Sequence, residues 1–195
     1  MAKKDVDTVA WGAVIIGSVI GLVASLVLSV EALTLAANPD AALSCNISIV
    51  LNCATVAEHE SSQILGFPNS FIGMITLPVM LTIAVAGLAG VKFPRWFIRA
   101  TWIGAIAGVL FAGWMFYQSY YVIQALCPWC LTTDIAMIFI AFGVFRYAAR
   151  QKYLCIKPEV LERASRNNYD LVAAISIIVI AAAMIIVKYG DVLFI

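Results

Sequence analysis

The chain has 195 residues, of which 64% are hydrophobic and 12% charged, with mean hydropathy +1.00 and a formal net charge of +1. A soluble domain carries about 25% charged residues, so this composition excludes one. The near-neutral balance gives no footing for nucleic acid or for a strongly acidic partner, and the length fits a single domain, 1–195.

Five apolar stretches approach the roughly 20 residues that cross a bilayer as a helix. They fall at about 9–33, 70–91, 97–122, 131–149 and 170–189. The first follows Lys3 and Lys4, as a signal peptide would. Its apolar run from Thr8 to Val30 is much longer than a signal core of roughly 7–15 residues, so it reads as a retained helix. Lys and Arg concentrate in cytoplasmic segments. Here they cluster before the first helix, between the second and third (Lys92, Arg95, Arg99), and between the fourth and fifth (Arg146 to Arg166). Lys188 alone falls on the other side, and Glu31 to Ser70 holds neither Lys nor Arg. This places the N-terminus in the cytoplasm and the C-terminus outside.

After the first helix comes a long outer loop, 36–69, which carries Cys45 and Cys53. Asn38-Pro39-Asp40 opens it with a turn signal, and Ala54 to Leu65 has the composition of a short helix lying on the membrane surface. "GFPNS" (Gly66 to Ser70) breaks that segment and offers Asn69 or Ser70 as the N-cap of the second membrane helix, which Pro78 is expected to kink. The third and fourth membrane helices meet at "CPWC", Cys127 to Cys130, on the outer side. Cys155 is alone on the cytoplasmic side, where thiols stay reduced, and reads as a spectator. The polar stretch Gln151 to Tyr169 reads as a connector without a specific function.

Four cysteines therefore face the compartment in which disulfides persist. With Pro128 in a first turn, Cys127 and Cys130 sit at a helix N-terminus, which favours the thiolate that attacks disulfides. Cys45 and Cys53 would close only a short loop, which favours a bond that opens and closes over a permanent staple. Four readings stand at this point: a thiol–disulfide electron-transfer enzyme, a scaffold stapled by two disulfides, a metal site using cysteines and His59, and a transporter. The electron-transfer reading fits best. The spans hold almost no charge to mark an ion path, and a metal site needs thiolates and histidine converging tetrahedrally.

An outer-loop C-x7-C (Cys45, Cys53), "NSFIG" (Asn69 to Gly73) opening the second helix, and a CxxC (Cys127, Cys130) at the outer end of the fourth occur here in one order. In that order and topology the chain resembles the vitamin K epoxide reductase family, specifically its bacterial members. The resemblance implies an all-α membrane protein of five spanning helices, four bundled around a quinone and one peripheral. It implies that Cys45 takes up a reduced partner, that Cys53 attacks Cys127, and that Cys130 passes two electrons to menaquinone or ubiquinone, with no metal involved. It also implies that Asn69 hydrogen-bonds a quinone carbonyl. The implied partner is a separate DsbA-like thioredoxin-fold protein outside a bacterial cytoplasmic membrane, since no thioredoxin-like domain follows the fifth helix. Asp134 stands where animal members have tyrosine, a departure from the family pattern that bears on coumarin-type inhibition and epoxide reduction and leaves both open; a vitamin K epoxide or quinone reductase proper is the alternative function.

Individual residues complete these expectations. Asp134, one helical turn beyond Cys130, is a candidate proton donor or shaper of the quinone site. Phe67, Phe71, Trp114 and Trp129 are candidates for its apolar walls, although interfacial aromatics commonly serve as anchors. His59, flanked by Glu58 and Glu60, reads as solvent-facing on a polar helix face, with tuning of a nearby thiol as its functional alternative.

Overall fold

The computed structural model describes residues 3–154 and 167–193. Its long helices are α1 (Lys3–Ala37), α3 (Ser70–Leu88), α4 (Arg95–Tyr117), α5 (Pro128–Arg150) and α6 (Tyr169–Leu193), with a short α2 (Cys53–Glu58) between the first two. The five long helices are each apolar and long enough to cross a membrane. Observed limits fall within a few residues of the expected ones, apart from the N-terminus of α1, since helix ends are set by caps and turns rather than by hydropathy. Gly90, at φ +94, ends α3 before its expected limit, and Cys127 caps α5 so that it starts at Pro128. Pro78 lies inside α3 without ending it. Cys155 and most of the basic residues that follow it lie outside the described residues.

α1 packs against both α3 and α5 and leaves its other face exposed, while α4 packs against α5. Small residues permit this, because helices in lipid associate by close contact rather than by hydrophobic exclusion. A Cβ at Gly17 would sit 2.7 Å from the Ala136 carbonyl oxygen, and one at Gly143 would sit within 2.6 Å of Val14. Gly87 leaves room for the Trp11 ring, which also packs against Tyr147 and Phe93 with centroids 4.4 and 6.2 Å away. Removing α1, as a signal peptide is removed, would remove the bundle's core. α6 lies outside and is fastened at two points. At one end Arg146 Nε meets Asp170 Oδ2 at 2.9 Å. At the other, Tyr189 donates to the Tyr120 carbonyl at 3.0 Å and Lys188 lies 4.4 Å over the Tyr120 ring.

Two features bring the loop onto the helices. α4 continues as a π-helical turn, Gln118–Ile123, and stops at Gln124, whose φ of 58° is left-handed. The extended residues that follow pair with the loop: Leu126 N–H donates to Val50 O at 2.7 Å, and Asn52 N–H donates to Leu126 O at 3.1 Å. The expected surface helix over Ala54 to Leu65 is instead the shorter α2 and a 3-10 turn, Glu60–Ser62. Asn52 caps α2 by accepting from Thr55 N–H, and Val56 is buried against the cysteines. The segment is thus a lid on the bundle end.

Candidate functional site

The backbone pairing at Leu51 and Leu126 sets the spacing of the cysteines. One residue past Asn52, Cys53 opens α2; one residue past Leu126, Cys127 caps α5. Cys45 and Cys53 are joined as a disulfide, and Cys127 and Cys130 are thiols. Cys127 Sγ lies 3.2 Å from Cys53 Sγ, within the roughly 3–3.5 Å separation of reacting atoms in a near-attack arrangement. The loop pair is held in place here by the strand-like pairing and by burial of Cys45, Cys53 and Cys127 in one apolar cluster with Leu35, Leu43 and Val56.

Cys127 accepts from the backbone N–H of Cys130 at 3.3 Å. The Cys130 thiol's hydrogen bond draws Cys127 below the ordinary cysteine value, against the opposing effect of burial, and the N–H groups of Cys130 and Trp129 add to it. A lowered pKa makes the thiolate the dominant form at a lower pH than in a free cysteine. In a Cys155→Ser background with the loop disulfide closed, thiolate ultraviolet absorbance is expected to rise first at a pH below the usual thiol range. Cys127→Ala should remove that first step; a first step at or above the usual range would contradict the assignment.

Beneath the lid is a cavity of about 180 Å³ with mostly apolar walls. Cys53, Cys127 and Cys130 line it, and Asp134 lines it one helical turn further along α5. α3 contributes Ile72, Gly73, Thr76 and Leu77; α4 contributes Gly108, Phe111, Ala112 and Met115. A Cβ at Gly73 would lie 2.3 Å from Ser25 Oγ, and one at Gly108 would lie 2.2 Å from the Met137 methyl, so glycine lets the walls close on the slot.

Asn69 lines the cavity but does not cap α3 with its side chain. Its Oδ1 accepts from Ile64 N–H at 3.2 Å, and its Nδ2 donates to Ser61 O at 2.7 Å and approaches Met115 Sδ at 3.5 Å. The amide thus ties the end of the lid to α3. Phe67, Phe71, Trp114 and Trp129 are not among the lining residues. Phe67 and Phe71, four residues apart, stack on each other with centroids 6.2 Å apart. Trp129 precedes Cys130 by one residue, about 100° around the helix, and packs on the cysteine cluster instead. Trp114 packs against Phe111, which takes the wall position. His59 accepts from Ser61 N–H at 3.2 Å and so caps the 3-10 turn, a structural role.

Sequence reasoning missed three wall residues, Phe111, Met115 and Met137, because an apolar helix has no polar stripe to show which face turns inward. Gly108, Phe111, Ala112 and Met115 follow the i, i+3, i+4, i+7 spacing of one helix face.

Two cysteine pairs on one bundle end, in contact through Cys53 and Cys127 and opening on an apolar cavity, can exchange disulfides. No curated protein matches the chain. A model of the vitamin K epoxide reductase family matches residues 13–145, from α1 well into α5 and including all four of these cysteines. The chain is a multi-pass membrane oxidoreductase and belongs to the vitamin K epoxide reductase family.

Proposed function

We propose that the protein oxidises a DsbA-like thioredoxin-fold protein and passes the electrons to membrane quinone, supporting disulfide formation outside a bacterial cytoplasmic membrane. In this reading the N-terminus is cytoplasmic and both cysteine pairs face outward, as the distribution of Lys and Arg favours. The observation that carries the relay is the 3.2 Å contact between Cys53 of the loop disulfide and Cys127 of the helix pair.

The relay conserves electrons at each exchange. A partner thiolate attacks Cys45, the Cys45–Cys53 bond breaks, and Cys53 leaves as a thiolate. The second partner thiol then releases Cys45 and departs oxidised. Cys53 attacks Cys127 of the oxidised helix pair, displacing Cys130. Cys45 attacks Cys53, which re-forms the loop disulfide and frees Cys127. The resulting state, with the loop pair oxidised and the helix pair reduced, is the one in the structure. The lowered pKa of Cys127 suits it to leave in the last of these exchanges. Cys45 is buried, so partner docking has to lift the loop.

The cavity residues fit a quinone: an apolar slot lined by Cys130, with the Asp134 carboxyl group one helical turn further along α5. A bound quinone supplies an acceptor for two electrons and two protons. Cys130 holds the reducing sulfur against the slot, and Asp134 holds a proton there. Asn69 faces the slot while its amide also braces the lid. The apolar walls exclude water.

The test is turnover with a reduced DsbA-type protein and a soluble quinone analogue. The expected result is one quinone reduced per partner disulfide formed. Partner oxidation with no loss of quinone would overturn the quinone assignment, and no partner oxidation would overturn the partner assignment. Asp134→Asn is expected to slow quinone reduction on the order of a hundredfold while leaving inward exchange between the cysteine pairs unchanged. An unchanged rate would remove Asp134 from proton delivery.

A further inference from the structure

Glu31 is the one charged residue between Thr8 and Ala37, on a helix that packs against both α3 and α5. It is itself buried, at 8% exposure. Its Oε1 accepts from Ser44 Oγ at 2.6 Å, and its Oε2 lies 3.1 Å from Cys45 Sγ. That oxygen and the sulfurs of Cys45 and Cys53 all fall within 4.8 Å of one another. The loop that covers it, from Glu31 to Ser70, carries neither Lys nor Arg, and no salt bridge to Glu31 occurs among the described residues. Burying a carboxylate without a cation costs several kcal/mol, and such a group inside a membrane helix marks a functional position. Cys127 and Cys130 pack in the same cluster as Cys45 and Cys53, and Asp134 lines the adjoining cavity.

We propose that Glu31 is the base that takes the proton from the Cys45 thiol when the loop disulfide re-forms. The inference rests on the relay described above. In that step Cys45 begins as a thiol and Cys53 is bonded to Cys127. Glu31 accepts the Cys45 proton as the Cys45 sulfur attacks Cys53. The Cys45–Cys53 bond forms, the Cys53–Cys127 bond breaks, and Cys127 leaves with the electron pair as a thiolate. Cys45 is oxidised and Cys127 reduced, so no other oxidant is needed. A free thiolate at Cys45 would lie against the carboxylate, which ties loss of the proton to formation of the sulfur–sulfur bond. The Ser44 hydroxyl aims the carboxylate by holding its other oxygen. When a partner later releases Cys45, Glu31 returns the proton to it.

The experiment is a single turnover of oxidised protein with one equivalent of reduced DsbA-type protein and no quinone, quenched by alkylation and read by peptide mapping. In Glu31→Gln, which keeps an acceptor for Ser44, the Cys53–Cys127 disulfide with free Cys45 should accumulate. Its conversion to the closed loop should slow on the order of a hundredfold at neutral pH. That rate should recover as pH rises, because hydroxide replaces the missing base, whereas the parent shows a flatter profile. Glu31→Asp should restore part of the rate. Equal resealing rates and equal pH profiles in parent and Glu31→Gln would overturn the role of Glu31. A parent protein that never moves a disulfide from Cys127 to the loop would overturn the relay and this inference with it.

Discussion

Cys130→Ala is expected to oxidise one equivalent of reduced partner in a burst and then stop, with no quinone reduced. The burst follows because the loop can still exist as the Cys45–Cys53 disulfide seen in the structure. The stop follows because the remaining helix cysteine has nothing to form a disulfide with at the cavity. Cys53→Ala should fail differently. Its loop cannot hold a disulfide of its own, and the contact that joins the two pairs is gone. Attack by Cys45 at Cys127 would need the loop to shift, so partner oxidation should fall by at least about a thousandfold, the scale on which loss of a nucleophile acts. Stopped-flow thiol assays beside quinone absorbance separate the two patterns. A burst in both variants, or continuing quinone reduction in Cys130→Ala, would contradict the assigned order of cysteines.

The second large effect concerns the bundle rather than the chemistry. Gly143→Val places a Cβ 2.4 Å from the Ala10 carbonyl oxygen and 2.6 Å from a Val14 methyl. The near atom is backbone near the N-terminal end of α1, so no rotamer change relieves the contact. Overpacking of this kind costs about 1–3 kcal/mol, and the added valine methyls push toward the upper end. Thermal unfolding in detergent should shift down by several degrees, on the order of 2–4 °C per kcal/mol for a chain of this size. Gly104→Val is the matched control, because nothing lies within 4 Å of a Cβ there. Equal melting temperatures for the two variants would show that α1 and α5 do not depend on that close approach.

The helices were legible in the sequence because a membrane span needs length and hydropathy and little else. The four cysteines were legible because their spacing and order survive without any knowledge of contacts. The walls of the cavity were not. Helices that are apolar all round give no polar stripe to show which face turns inward, so Phe111, Met115 and Met137 looked no different from lipid-facing neighbours. Aromatic residues near the motifs, Phe67, Phe71 and Trp129, drew the assignment, whereas Phe111, Met115 and Met137 line the cavity. The pairing of Leu51 with Leu126 was hidden for another reason. It is a single bridge between two irregular segments 75 residues apart in number, with no alternating pattern to announce it. That bridge brings Cys53 to Cys127. Glu31 was visible as a lone charge, yet only the folded loop shows that it meets Cys45.

The central claim is that electrons cross from the loop pair to the helix pair through Cys53 and Cys127. The most direct test uses the double variant Cys45→Ala/Cys130→Ala, in which only those two cysteines remain on this end of the bundle. Mild oxidation in membranes should join them quantitatively, as peptide mapping without reduction would show. The complementary variant Cys53→Ala/Cys127→Ala, which keeps Cys45 and Cys130, should stay reduced under the same conditions. If the second pair joined as readily as the first, or if Cys53 and Cys127 remained thiols, the path between the two pairs would not be the one described.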